Sequence, residues 1–123
     1  MTETELWQCI YRAFEAHRRA GELNAQTALN RIAAKCIARR EGAPVTRSFD
    51  PSTSRAREEY LSPGELRRLE SFHERASPLR DVEPIVVLVY EGRHIVIDGN
   101  NRVNKWRHEK ASRPRRAIVI EPK

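Results

Sequence analysis

Ile85-Val86-Val87-Leu88-Val89-Tyr90, Glu91-Gly92, Arg93-His94-Ile95-Val96-Ile97 and Asp98-Gly99-Asn100-Asn101-Arg102 form the stretch that decides the fold. The β-branched run over 85–90 predicts a strand covered on both faces. Glu91-Gly92 predicts a tight hairpin turn into a second strand over 93–97. Gly99 ends that strand, and a helix is expected from there to about Ala111. Asn100 or Asn101 would cap it, with Val103 and Trp106 on its core side. A glycine turn that opens a helix leaves backbone N–H groups unpaired and carries about half a positive charge. Such a place attracts anions, phosphate above all. Arg102 adds a planar, permanently charged fork suited to phosphate oxygens.

Downstream, Ser112-Arg113-Pro114 ends the helix, and Arg116–Ile120 reads as a last apolar strand. Upstream, Ser62-Pro63-Gly64-Glu65 is a helix start, with Ser62 as N-cap and Glu65 in the reciprocal capping place. Leu66, Leu69, Phe72 and His73 would form its buried stripe, and Ser77-Pro78 its end. Residues 43–61 are rich in turn formers and read as a polar, arginine-bearing loop, with at most a brief edge strand at Glu59-Tyr60-Leu61. Two helices are expected at 4–20 and 24–40, joined by Ala20-Gly21-Glu22-Leu23 as a helical hairpin. Thr2 and Glu5 are spaced for a capping box. Leu6, Ile10, Ala13, Phe14 and His17 would line the first apolar face. Ala28, Leu29, Ile32, Ala33, Cys36 and Ile37 would line the second. The expected fold is therefore α+β: a small mixed sheet with a strand-hairpin-helix-strand core over 62–123, preceded by a helical hairpin over 1–42 packed on it.

The 123 residues favour one compact domain. No run of eighteen apolar residues suggests a membrane span. The acidic start Met1-Thr2-Glu3-Thr4-Glu5 lacks the layout of a secretory signal. Cys9 and Cys36 are too few for a disulfide framework, so a cytoplasmic setting is expected. The histidines show no metal-ligand spacing. The net charge of +6 is uneven: residues 85–123 hold nine basic and four acidic groups. That asymmetry points to a polyanion near the Asp98–Arg102 turn, with Lys105, Arg107 and Lys110 on the following helix facing it. Solvation of a basic face is the plainer alternative. Arg31, Lys35, Arg39 and Arg40 also allow a helix-turn-helix reading of the N-terminal pair, but a packing hairpin with a charged exterior is the plainer reading, because acids alternate with bases in the first helix.

Leu66–Phe72, Glu83-Pro84-Ile85-Val86-Val87, Ile95-Val96-Ile97-Asp98-Gly99-Asn100-Asn101-Arg102 and Ala117-Ile118-Val119-Ile120 together resemble the ParB/sulfiredoxin superfamily, over roughly residues 60–121. Its members share a small domain in which a helix feeds an x-Pro-Ile-Val-Val strand and a hairpin strand ends in a G-x-x-R turn. The resemblance implies a nucleotide at that turn, ATP or CTP with Mg²⁺. Gly99 would allow close backbone approach to phosphate, Arg102 would bind phosphate oxygens, and Asn100 and Asn101 would donate hydrogen bonds. Asp98 would hold a metal ion or act in catalysis, and Glu83 would be a second catalytic carboxylate. Sulfiredoxin chemistry needs a cysteine directly after the motif glycine. Asn100 stands there, so that activity is not expected. A related free-serine kinase has histidines at the places of Asn100 and Asn101, and asparagine does not titrate.

The resemblance thus implies a domain binding a nucleotide or nucleic-acid phosphate, in a plasmid or mobile-element DNA transaction. If catalytic, it would be a Mg²⁺-dependent nucleotidase or nuclease acting chiefly by electrostatic clamping. The alternatives are a non-catalytic module that binds a protein through its N-terminal helices, and a basic DNA- or RNA-binding protein.

Overall fold

A computed structural model describes residues 1–42, 45–72, 82–109 and 113–123. Its order is α1 (Glu3–Glu15), α2 (Ala25–Glu41), β1 (Ser54–Leu61), α3 (Pro63–Arg68), β2 (Ile85–Tyr90), β3 (Arg93–Asp98), α4 (Asn100–His108) and β4 (Arg115–Pro122). The class is α+β, as the sequence predicts. The strands form one mixed sheet in the order β1-β4-β2-β3. β4 runs antiparallel to β1 and parallel to β2, and β2 is antiparallel to β3.

The sheet is covered on both sides, which is why its central strands read as continuous apolar runs. Val86, Leu88, Ile95, Ile97, Ile118 and Ile120 face α1 and α2, meeting Leu6, Ile10, Phe14, Leu29, Ala33 and Ile37. Ile85, Val87, Val96, Ala117 and Val119 face α3 and α4, meeting Leu66, Leu69, Val103 and Trp106. The alternation along β2 sends neighbouring residues into different cores. The edge of β3 is shielded by Glu70, whose N–H donates to the His94 carbonyl and whose carbonyl accepts from Val96 N–H, each at 2.8 Å. Covering an edge in this way blocks further strand pairing.

Several boundaries differ from the sequence reading. The capping box of Thr2 and Glu5 forms as expected, but α1 ends at Glu15 rather than at residue 20. His17 and Arg18 turn back through N–H bonds to the Phe14 and Glu15 carbonyls, so His17 leaves the apolar stripe. In place of a three-residue edge strand, β1 has eight residues. Its polar sequence is held by pairing along β4 and by ions: Arg57 with Glu59 and Glu121, and Glu58 with Arg116. α3 starts at the Ser62–Glu65 capping box but stops at Arg68, because Leu69 turns extended and carries Glu70 onto β3. α4 ends at His108. His73, Ser77-Pro78 and Ala111 lie outside the described residues.

The segment before β1 contributes Phe49 to the core, fully buried and edge-on to Tyr90. Its backbone is clamped by α2: Phe49 N–H donates to Asn30 Oδ1 at 2.9 Å, and Gln26 Nε2 donates to the Phe49 carbonyl at 3.0 Å. Asp50 closes the loop by accepting from the hydroxyls of Ser48 and Ser52 and the N–H groups of Ser52 and Thr53. Those donors, the Ser52 hydroxyl first, lower its pKa from 3.8 to about 2. A depressed carboxyl pKa stabilises the fold above the unfolded value and ceases to as pH falls through the folded one. The melting-temperature advantage of the native chain over Asp50→Asn is therefore expected at neutral pH and shrinks between about pH 4 and about pH 2, read by circular dichroism.

Candidate functional site

β2 and β3 pair in one register from Tyr90–Arg93 to Val87–Val96, then shift so that Val86 lies opposite Asp98. Ile97 is the extra residue of this β-bulge. Bulges re-aim the side chains beside them, and here Asp98 reaches towards the N-terminal helices. Its Oδ1 lies 3.2 Å from His17 Nε2, and its Oδ2 accepts from Arg102 Nη2 at 3.1 Å. One carboxylate thus joins the tail of α1 to the first turn of α4.

Gly99 follows with φ +99° as the N-cap of α4. A β-carbon there would stand 2.7 Å from Ile85 Cγ2 and 2.9 Å from Arg102 Nη2. Gly99 is therefore required both by its backbone and by the closeness of its neighbours. The capping expected of Asn100 or Asn101 is not made: α4 has no side-chain cap. Asn100 is instead buried, its Oδ1 accepting from Phe72 N–H at 2.9 Å and its Nδ2 donating to the Val96 carbonyl at 3.1 Å. It fastens residue 72 to the sheet and turns no amide towards solvent. Asn101 is half-buried beside it.

Arg102 is tied to Asp98 and donates from Nη1 to the Val82 and Pro84 carbonyls. It remains 18% exposed and forms part of the wall of an open cleft of about 890 Å³. That cleft lies between the N-terminal helical pair and the Ile97–Arg102 turn. The α/β half contributes Val82, Glu83, Pro84 and the turn itself. The helical half contributes Arg12, His17, Arg19, Arg31 and Lys35, with Ile32 and Cys36 at its apolar floor. Five permanent cations thus meet two carboxylates, Asp98 and Glu83. Arg31 is engaged by Glu22 at 3.1 Å, and this pairing holds the Glu22 carboxyl below its ordinary pKa. Arg12 and Lys35 have no ion-pair partner among the described residues.

The two carboxylates singled out in the sequence are both neutralised. Glu83 lies 3.2 Å from Arg113 and 3.7 Å from Arg115, with its Oε1 buried. Asp98 has a nitrogen on each oxygen. Among the described residues no three His, Cys, Asp or Glu side chains converge as metal ligands. The site as built does not fit a protein-held Mg²⁺, since a cation at Asp98 would have to displace Arg102. Arg107, expected to face a polyanion, faces protein instead: it donates to the Leu66 and Leu69 carbonyls and to Ser71 Oγ. Burial lowers its pKa, and its guanidinium closes α3 onto α4. Lys105 is exposed on α4, and Lys110 lies outside the described residues. Trp106 is in the core, with the Arg115 guanidinium 4.5 Å over its ring.

The helical half of the cleft is not legible in one dimension. Arg12 and Arg19 carry no signal there, Lys35 enters only through the helix-turn-helix reading of α2, and the spacing of His17 puts it on an apolar face. Only the packing of α1 and α2 beside the bulge brings them to Asp98. Gly99→Ala is expected to lower unfolding free energy by about 1–3 kcal/mol from its backbone conformation alone, measured by urea titration. Asn100→Ala should lower it by about 1–3 kcal/mol by leaving buried backbone groups unpaired.

No family model, curated protein or solved structure matches this chain.

Proposed function

We propose that the cleft binds the phosphate of a nucleotide or nucleic acid, with the N-terminal N–H groups of α4 and Arg102 on one wall and Arg12, Arg19 and Lys35 on the other. The observation that carries this reading is the convergence of cations from both halves of the chain on one cleft beside a helix N-terminus. Charge gathered in a concave site focuses the field and draws anions in. A helix N-terminus with no side-chain cap at its first residue presents N–H groups aimed at oxygen. The resemblance of the Asp98–Arg102 turn to the ParB/sulfiredoxin superfamily supports the same ligand class.

ATP and CTP, each with Mg²⁺ carried on its own phosphates, are the first ligands to test. Magnesium is commonly brought to a site in that way rather than held by protein alone. Phosphate-ester hydrolysis is the extension of this reading. His17 is the group poised for proton transfer, because Asp98 orients its imidazole at the cleft. A plasmid or mobile-element DNA transaction in the cytoplasm is the proposed setting. No helix among the described residues is long and apolar enough to cross a membrane.

Isothermal titration of CTP and ATP, with and without Mg²⁺, tests the reading. Arg102→Ala removes a charge-assisted hydrogen bond worth about 1.5–3 kcal/mol, so binding should weaken about ten-fold or more. Arg12→Gln and Lys35→Gln leave the Asp98–Arg102 turn intact and should each weaken binding several-fold. Equal heats for the native chain and all three variants would refute the site.

A further inference from the structure

We propose that the occupant of this cleft is a single-stranded nucleic acid, laid along α2 beyond the reach of a mononucleotide, with a base against Phe72. This rests on the phosphate-binding reading and extends it along one direction of the groove. Lys35 and Arg39 are four residues apart on α2, and Arg31 is four before Lys35. Residues at that spacing share a helix face and step about 6 Å along the axis. The row they form is about 12 Å long; Arg31 at its start is paired with Glu22, and Lys35 and Arg39 are its cations without an ion pair among the described residues. Arg31 and Lys35 line the cleft. Arg39 continues the row past Cys36 and is exposed, with no carboxylate partner among the described residues.

The row leads to an aromatic ring. The Arg39 guanidinium lies 4.3 Å from the centroid of Phe72, which is half-buried against the core. Phe72 is fixed to the turn that forms the opposite wall: its N–H donates to Asn100 Oδ1, and its carbonyl accepts from Asn104 Nδ2 at 3.2 Å. The ring is thus held one helical turn beyond Lys35, the Arg39 guanidinium lying over one side of it. A cationic track ending on an aromatic face is how proteins hold single strands: the track follows the backbone and the ring stacks a base. A duplex keeps its bases stacked on one another and offers no free face to Phe72. A mononucleotide bound at Arg102 would leave Arg39 and the ring unused.

The test is fluorescence anisotropy with labelled dT12 and rU12, against a duplex of equal length and against CTP and ATP in competition. Both oligonucleotides should bind more tightly than either mononucleotide and more tightly than the duplex. Lys35→Gln and Arg39→Gln each remove one cation from the strand's phosphates, so each should reduce the log–log salt slope by about 0.7. Arg39→Gln should weaken the 12-mers far more than CTP. Phe72→Leu should weaken them about five-fold or more, with its fold checked by circular dichroism. Arg39→Gln, an exposed change, keeps the test sound if Phe72→Leu unfolds. Mononucleotides binding as tightly as the 12-mers, with Arg39→Gln silent, would overturn the extended track and leave the phosphate site standing. Duplex binding equal to single-strand binding would overturn it as well. Failure of every phosphate-bearing ligand would remove both readings together.

Discussion

The carboxylate of Asp98 is the joint on which the cleft depends. It stands where β3 bulges, accepts Arg102 on one oxygen and meets His17 on the other. Without the bulge, the pleat would turn residue 98 to the other face of the sheet, away from α1. With it, one side chain positions the arginine of the α4 turn and draws the tail of the helical pair to the sheet. The left-handed Gly99 makes the geometry possible, because Arg102 folds back over a position where a β-carbon would intrude. Asn100 then fastens this turn to residue 72 and to β3. Three consecutive residues thus have separate roles: Asp98 joins the halves, Gly99 makes room, and Asn100 anchors.

Much of the fold is legible in the sequence, and the reasons are local. The two-sided burial of β2 is visible because every residue from 85 to 88 must be apolar when both faces are covered. The Thr2–Glu5 and Ser62–Glu65 caps are visible because capping chemistry needs particular residues three apart. The hairpin at Glu91-Gly92 and the break at Gly99 are visible because left-handed backbone favours glycine. What escapes depends on partners distant in sequence. Ser54–Leu61 carries Arg55, Arg57, Glu58 and Glu59, and forms a strand only because β4 lies beside it with opposite charges. α3 stops early because Glu70 pairs with β3, an interaction no local propensity encodes.

The candidate site is half legible for the same reason. The turn Asp98–Arg102 announces itself by residue type and spacing. The roles in and around it do not follow from type alone. Asn100 is a buried brace rather than a cap, Arg107 a clamp on α3 rather than an outward cation, and Glu83 an acid held by two arginines. Burial separates these roles, and burial is set by the tertiary packing. The opposite wall, with Arg12, His17, Arg19 and Lys35, belongs to helices whose sequence carries no phosphate motif. Its charge acquires meaning only when those helices lie across the bulge.

The central claim is that both walls of the cleft meet one phosphate-bearing ligand. A ¹H–¹⁵N correlation spectrum recorded during CTP titration tests it most directly. The account predicts concerted, saturable shifts of the backbone amides of Gly99, Asn100, Asn101 and Arg102 together with those of Arg12, His17 and Lys35. Shifts confined to remote strands, or a spectrum unchanged at saturating nucleotide, would contradict it.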